Sequence, residues 1–317
     1  MPRTKQFHPL TKRRLPLDCG LAVSLALVLL VGCDSAPVVD TDPSSPIVEL
    51  ESSAPTVDAV VQLATALAAQ PDEARARYDA RHPQETLEFF GVKPGMTVVE
   101  ADPGSGWYSK ILQSYLGNEG TLIGADYPMG IYRLFDYYSE EELAAKTDWP
   151  VTWPQSMTQN IDGGAVVKAY AFGSLPAEWE GTVDVFLLVR TLHNFADFEE
   201  EGAYLSEGLD EVYRVLKPGG IVGIVQHAAP ESAADSWASG ANGYLKQSFV
   251  IATLESAGFL FDGESAINEN PADQPTEEES VWRLAPTLEP VKDPELAAAY
   301  VAIGESNRMT LRFRKPR

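Results

Sequence analysis

From Thr97 onward, short apolar runs alternate with stretches whose apolar residues recur every three or four positions. The runs Thr97–Glu100, Thr121–Asp126, Ala165–Tyr170, Val183–Val189 and Ile221–Val225 are near-continuous rather than alternating. That pattern predicts strands covered on both faces. After the first strand, Tyr108, Ile111, Leu112, Tyr115 and Leu116 fall on one helical face, and Gly117 can end that helix. Leu205, Leu209, Val212 and Leu216 make a second stripe, closed by "KPGG" before the fifth strand. Helix between strands predicts a parallel sheet with right-handed crossovers. A helix over Tyr244–Ala257, a strand over Phe259–Glu264 and a last strand over Thr310–Phe313 complete the pattern. The segment Tyr127–Gly164 is irregular and aromatic, and is expected to hold a helix and a loop over a site. Its aromatics, Tyr132 to Trp153, read equally as core or as a substrate lid.

Upstream, the pattern changes. Arg3, Lys5, Lys12, Arg13 and Arg14 give a basic start, and the 14-residue stretch Cys19–Gly32 is apolar. It is short for a bilayer span and right for a signal peptide. "Leu30-Val31-Gly32-Cys33" resembles the lipobox of bacterial lipoproteins, which implies cleavage before Cys33 and lipid on its thiol. Residues 1–32 are then a leader. A basic segment stays inside while the following chain is exported, so the expectation is a membrane-anchored, periplasm-facing protein. Residues 33–56 carry Pro37, Pro43, Pro46 and Pro55, several serines and five acids without a base, a composition that predicts a disordered tether. Thr56 is placed to cap a helix from Val57; Pro71 and Pro83 suit the first turns of two short helices, and Gly91 the end of the second. Residues 57–317 form the expected domain.

Charge narrows the partners. The 317 residues carry a net charge of −22. Such a surface argues against nucleic acid, whose phosphates want Lys and Arg. No Cys/His cluster has metal-ligand spacing.

The chemistry concentrates in "VVEADPGSGWYSKIL" (Val98–Leu112). In open α/β sheets, ligands bind beyond the carboxyl ends of strands where strand order reverses. Gly104 and Gly106 lack Cβ atoms, so a ligand can approach the main chain, and the next helix offers free N–H groups. Glu100 ends the first strand, and Asp126 ends the second, where an acid can take a ribose diol. The third glycine of a dinucleotide fingerprint would fall at Ser109 and is absent, which disfavours an NAD(P)-dependent oxidoreductase.

These residues resemble the class I S-adenosylmethionine-dependent methyltransferases. "VVEADPGSG" matches that family's glycine loop, "GTLIGADY" its second strand, "VDVFLLVRTLHNF" its fourth and "RVLKPGGIVGIV" its fifth. The likeness covers roughly Leu87 to Phe313 and is strongest to a bacterial group with "PGxGWY" and "RFRKP" motifs. It implies a Rossmann-like, doubly wound, mostly parallel seven-stranded sheet whose last strand is antiparallel. It implies S-adenosylmethionine as cofactor and a small-molecule acceptor. Glu100 would reach the methionine amino group, the Pro103, Gly104, Ser105 and Gly106 backbone would pack on the cofactor, and Asp126 would bind the ribose. Asp102 and Tyr108 complete the expected contacts, although core packing is the default for Trp107 and Tyr108. Two departures stand out: Asp102 replaces the loop's first glycine, and "AFGSLP" (Ala171–Pro176) lacks the acid many members place on adenine. Asp102 and the leader together favour an alternative, a non-catalytic periplasmic binding protein on the same scaffold.

Past the ends of strands four and five lie Arg190, His193 and His227. His193 is read as a base or substrate anchor and Arg190 as orienting a carboxylate or the local loop. The competing structural roles are a helix cap for His193 and an ion pair with a nearby acid for Arg190. Asp184 opens strand four at the opposite end and is read as structural.

Overall fold

In the computed structural model, which describes residues 57–158 and 163–317, strands form where the apolar runs stand. They are β1 (Thr97–Ala101), β2 (Thr121–Asp126), β3 (Val166–Ala171), β4 (Val183–Val189), β5 (Leu216–Ala229), β6 (Leu245–Lys246), β7 (Leu260–Ser265) and β8 (Arg308–Arg314). The leader, Cys33, the 33–56 tether and the Thr56 cap lie outside the described residues. Four helices precede the sheet: α1 (Val57–Ala68), α2 (Asp72–Arg75), α3 (Tyr78–Arg81) and α4 (Pro83–Phe89). Within it come α5 (Trp107–Leu116), α6 (Met129–Leu134), α7 (Glu140–Thr158), α8 (Leu192–Asp197), α9 (Glu199–Gly202), α10 (Tyr204–Val215), α11 (Gln247–Ser256) and α12 (Pro294–Ile303).

The sheet order is β3-β2-β1-β4-β5-β8-β7, and β1 to β5 are parallel. β8 runs antiparallel between β5 and β7. The fold is therefore Rossmann-like and doubly wound, with its switch point between β1 and β4. An eighth strand, the two-residue β6, pairs with the far end of β5 and was not expected.

The apolar runs are continuous because the pleat sends neighbours to opposite, covered faces. Val98, Leu122, Val185 and Leu187 pack with α1, α4, α5 and α7. Val99, Ile123, Phe186 and Leu188 pack with α6, α8, α10 and α11. A fully buried Leu or Ile of this kind stabilises the fold by about 2 kcal/mol.

Three local readings change. The sheet pairing puts Val183 opposite Leu216 and Val185 opposite Ile221, so "KPGG" bulges out within β5 instead of ending before it. Gly219, at φ +81°, supplies the left-handed residue that bulge needs. The helix expected from Tyr244 begins at Gln247, because Leu245 and Lys246 pair with Ala228 and Ala229. The aromatic segment is two helices, and it is core. Tyr127 packs on Phe195 (5.1 Å between centroids) and Phe135 on Phe198 (5.3 Å). On α7, Trp149 and Trp153 stack over Gly124 of β2, where an added Cβ would lie 2.8 Å from either ring. α7 continues through Pro150 and Pro154. Among the described residues no helix is long and apolar enough to cross a membrane.

Candidate active site

The β1–α5 turn is built from left-handed backbone. Asp102 (φ +42°), Gly104 (+55°) and Gly106 (+75°) all take it. Asp is among the few non-glycine residues that tolerate this region, so Asp102 keeps the turn that glycine would make. Its N–H donates to the Ala125 carbonyl at 2.8 Å, holding the turn against β2. A Cβ on Gly104 would meet only the Asp102 carbonyl at 3.9 Å, so the space before it is open. Gly106 caps α5 without a side chain. A flat, polar ligand lying against main chain fits this cradle.

The turn faces a cavity of about 330 Å³, at the small end of ligand pockets. It sits at the switch point. Glu100, Asp102, Pro103, Gly104, Ser105 and Tyr108 line it, and so do Arg190 and His193. The structure thus brings most of the sequence-predicted residues to one place. Gly106 and Asp126 are not among the lining residues. Asp126 ends β2 on the same sheet edge as Glu100, but its carboxylate is taken: Tyr132 donates to one oxygen and Lys146 to the other at 3.1 Å. A ribose diol would have to replace those donors.

The sequence missed half the enclosure. Arg77 and Arg81 reach in from the α2–α3 region, and Trp282 with Leu284 to Thr287 forms a wall from the C-terminal part. That wall is braced by Arg283, which donates to Asp273 at 2.6 Å and to the Tyr244 hydroxyl at 2.7 Å. Trp107 reads as core packing but also carries Arg81 stacked 4.7 Å over its ring.

Burial sets the electrostatics. Glu100, 4 % exposed, is pushed up to about 8 by burial first, with Asp102 adding to the rise; Ser109, which takes the place of the missing glycine, opposes it by donating to the carboxylate. Asp102 is raised to about 7 by burial and then by Asp126. At neutral pH Glu100 therefore largely keeps its proton and Asp102 is partly protonated, and an arriving cation would favour the ionised form of both.

His193 is lowered to about 4 by burial, so it is neutral at pH 7. Gln226 fixes its tautomer. The amide nitrogen of Gln226 donates to Gly243 (2.8 Å), which turns its oxygen toward His193 Nδ1 (3.3 Å). Nδ1 then carries the proton and Nε2 the lone pair. Thr191, not His193, starts α8, and no side-chain cap forms there. Arg190 sits at φ +60°, a strained position for arginine, with its N–H bonded to Val225 at 2.7 Å. Its guanidinium makes no ion pair or hydrogen bond among the described residues, so the ion pair weighed as its structural role is not seen. Asp184 is structural, accepting from the Thr97 N–H and pairing with Lys217.

With this geometry in view, the chain can be compared with known proteins, among which it is similar to several methyltransferases and to the [4+2]-cyclase SpnF. Over 138 residues it is 23% identical to the ubiquinone/menaquinone biosynthesis C-methyltransferase UbiE of Hydrogenovibrio crunogenus, a stretch covering 43% of this chain and 44% of that protein. The chain thus spans less than half the length of that curated relative. No family model matches. Similar solved structures include a SAM-dependent methyltransferase from Aquifex aeolicus (19% identity, 65% of this chain, 93% of that one, TM-score 0.43). Another is an arsenic(III) S-adenosylmethionine methyltransferase from Chlamydomonas reinhardtii (15%, 81%, 73%, 0.41).

Proposed function

We propose that this chain is an S-adenosylmethionine-dependent methyltransferase for a small-molecule acceptor, exported and held at a membrane by lipid on Cys33. The observation that carries the enzyme reading is the cavity at the β1/β4 switch point, where the Gly104 cradle and the Glu100 carboxylate share one wall. The 23% likeness to a C-methyltransferase supports it. The lipid anchor rests on the basic leader and Leu30–Cys33.

When bound, S-adenosylmethionine supplies a methyl group on cationic sulfur for in-line transfer. The residues present suit it. Glu100 would take its ammonium and the Pro103–Ser105 main chain its flank. Asp126 would serve the ribose once Lys146 gave way. His193, neutral and with Nε2 unprotonated, lines the cavity as a hydrogen-bond acceptor that would anchor a protonated acceptor; burial, which lowers it to about 4, makes it a weak base until an anionic ligand raises it. The protein otherwise aligns the two reactants.

Calorimetric titration of the full chain with S-adenosylmethionine, S-adenosylhomocysteine and NADH tests the reading. Binding of the first two and not the third is expected; the reverse, or no binding, overturns it. A gel shift on Cys33→Ser in cells fed labelled fatty acid tests the anchor on its own: lost labelling supports it, and unchanged mobility and labelling defeat it.

A further inference from the structure

Positive charge gathers on one side of the cavity. Arg77, Arg81 and Arg308 all converge on a single buried carboxylate, Glu305: Arg77 Nε at 2.9 Å, Arg81 Nε at 3.1 Å and Arg308 Nη1 at 3.1 Å. Arg190 lines the cavity with Arg77 and Arg81; it makes no hydrogen bond or ion pair among the described residues, although Glu305 and Asp102 are near enough to favour its charge, and it depresses the basicity of Arg81. Four guanidiniums thus gather around one ion-paired carboxylate, with the buried, proton-holding Glu100 and Asp102 the other acids of the cavity, in a chain whose acids outnumber its bases 46 to 24. A partly desolvated guanidinium with no direct hydrogen-bonded partner is costly, and an anionic ligand is one remedy. The cofactor does not supply it. S-adenosylmethionine carries sulfonium, ammonium and carboxylate, one net positive charge, and its cationic groups suit Glu100 and Asp102.

We infer that the Arg190 side of the cavity binds the anionic group of the methyl acceptor, a small organic anion such as a carboxylate, whose apolar body lies against Trp282. The word "acceptor" rests on the methyltransferase reading; the anion site does not. Arg190 follows β4, across the switch point from the glycine cradle, and it lies beside His193, whose Nε2 is free to take a proton. Anion, base and cradle therefore line three sides of one space. Arg190 acts by binding and positioning.

The test uses the full chain with benzoate as the anion and benzamide as its neutral counterpart of the same shape. Calorimetry should show benzoate binding at least about tenfold tighter than benzamide, with the preference shrinking as salt rises. Arg190→Gln should remove the preference and change S-adenosylhomocysteine affinity less than about threefold; Arg190→Lys, which keeps the charge, should retain part of the preference. Equal binding of benzoate and benzamide by the unaltered protein overturns the inference without any variant. So does an Arg190→Gln protein that loses S-adenosylhomocysteine as severely as benzoate, since Arg190 would then serve the cofactor's own carboxylate. If S-adenosylhomocysteine fails to bind at all while the benzoate preference holds, the methyltransferase reading falls and the anion site stands.

Discussion

The two walls of the cavity are made in opposite ways. The acid wall is local: Glu100 to Tyr108 is one strand end, one turn and one helix start. Its shape follows from three left-handed residues in a row of five, two of them glycine. The cation side is assembled from Arg77, Arg81 and Arg190, which line the cavity, backed by Glu305 and Arg308; they come from the N-terminal helices, the end of β4 and the start of β8. Their charges behave differently too. The acids respond to burial by holding protons, because a carboxyl group becomes neutral by keeping one. Arginine stays charged, so its cost is met by a shared carboxylate and by whatever anion enters. A site that must hold a cation and an anion side by side can be built this way without the two ligands' charges being quenched by the protein.

The largest way to break this contrast is at Glu305. Glu305→Gln leaves three arginines without their carboxylate and should cost about 3–5 kcal/mol of stability. Urea denaturation measures it, and added benzoate should restore part of the loss; a change below about 1 kcal/mol would show that the arginines do not depend on that carboxylate.

Glu100→Gln tests the other wall and should act in the opposite sense on the empty protein. The folded carboxyl, raised to about 8, keeps a proton that the unfolded chain loses near its ordinary value of 4.5. The native state thus binds more protons between those values, and stability falls as pH climbs through them. Removing the charge should stabilise the protein at pH 9 by on the order of 5 kcal/mol, and hardly at pH 4, while weakening S-adenosylmethionine binding. Matching pH slopes in denaturation of the two proteins would contradict it.

Cofactor affinity sharpens the comparison further. Asp102 at about 7 and Glu100 at about 8 must both ionise to face a cation. S-adenosylmethionine binding should therefore tighten by about a hundredfold or more from pH 6 to pH 8.5, with proton release visible as a buffer-dependent heat. Benzoate binding, which relies on arginine, should not tighten over the same range; a parallel rise in both would merge the two walls into one electrostatic unit. The smallest effect is expected at Gly104→Ala. A left-handed alanine costs about 1 kcal/mol, read by thermal denaturation, and the new methyl should also weaken S-adenosylhomocysteine modestly. An unchanged melting temperature would mean that the turn relaxes.

The strands, their order of appearance, the helix after β1 and the closeness of Glu100 to the glycine turn were all legible in the sequence. Each depends on residues within about ten positions, and both faces of the sheet leave an apolar signature. The Asp102 substitution was legible as a departure, but not its resolution, because a backbone angle is not written in residue type alone. The roles of Ser109, Arg77, Arg81 and the wall around Trp282 were not legible. Ser109 looked like a missing glycine until its hydroxyl was seen on Glu100. The aromatic segment could be read as core or lid, and only packing of Tyr127 on Phe195 and of Trp153 over Gly124 decided for core.

What the sequence determined by itself was a parallel sheet of strands alternating with helices and a glycine turn after its first strand, since periodicity and turn chemistry are short-range; the doubly wound order was implied by the family resemblance. What the tertiary structure alone decided was the charge of the space beyond that turn. Residues 77, 190, 305 and 308 meet only when crossovers carry distant segments to one sheet edge, and electrostatic energy depends on those distances and on lost water, neither of which a one-dimensional pattern records.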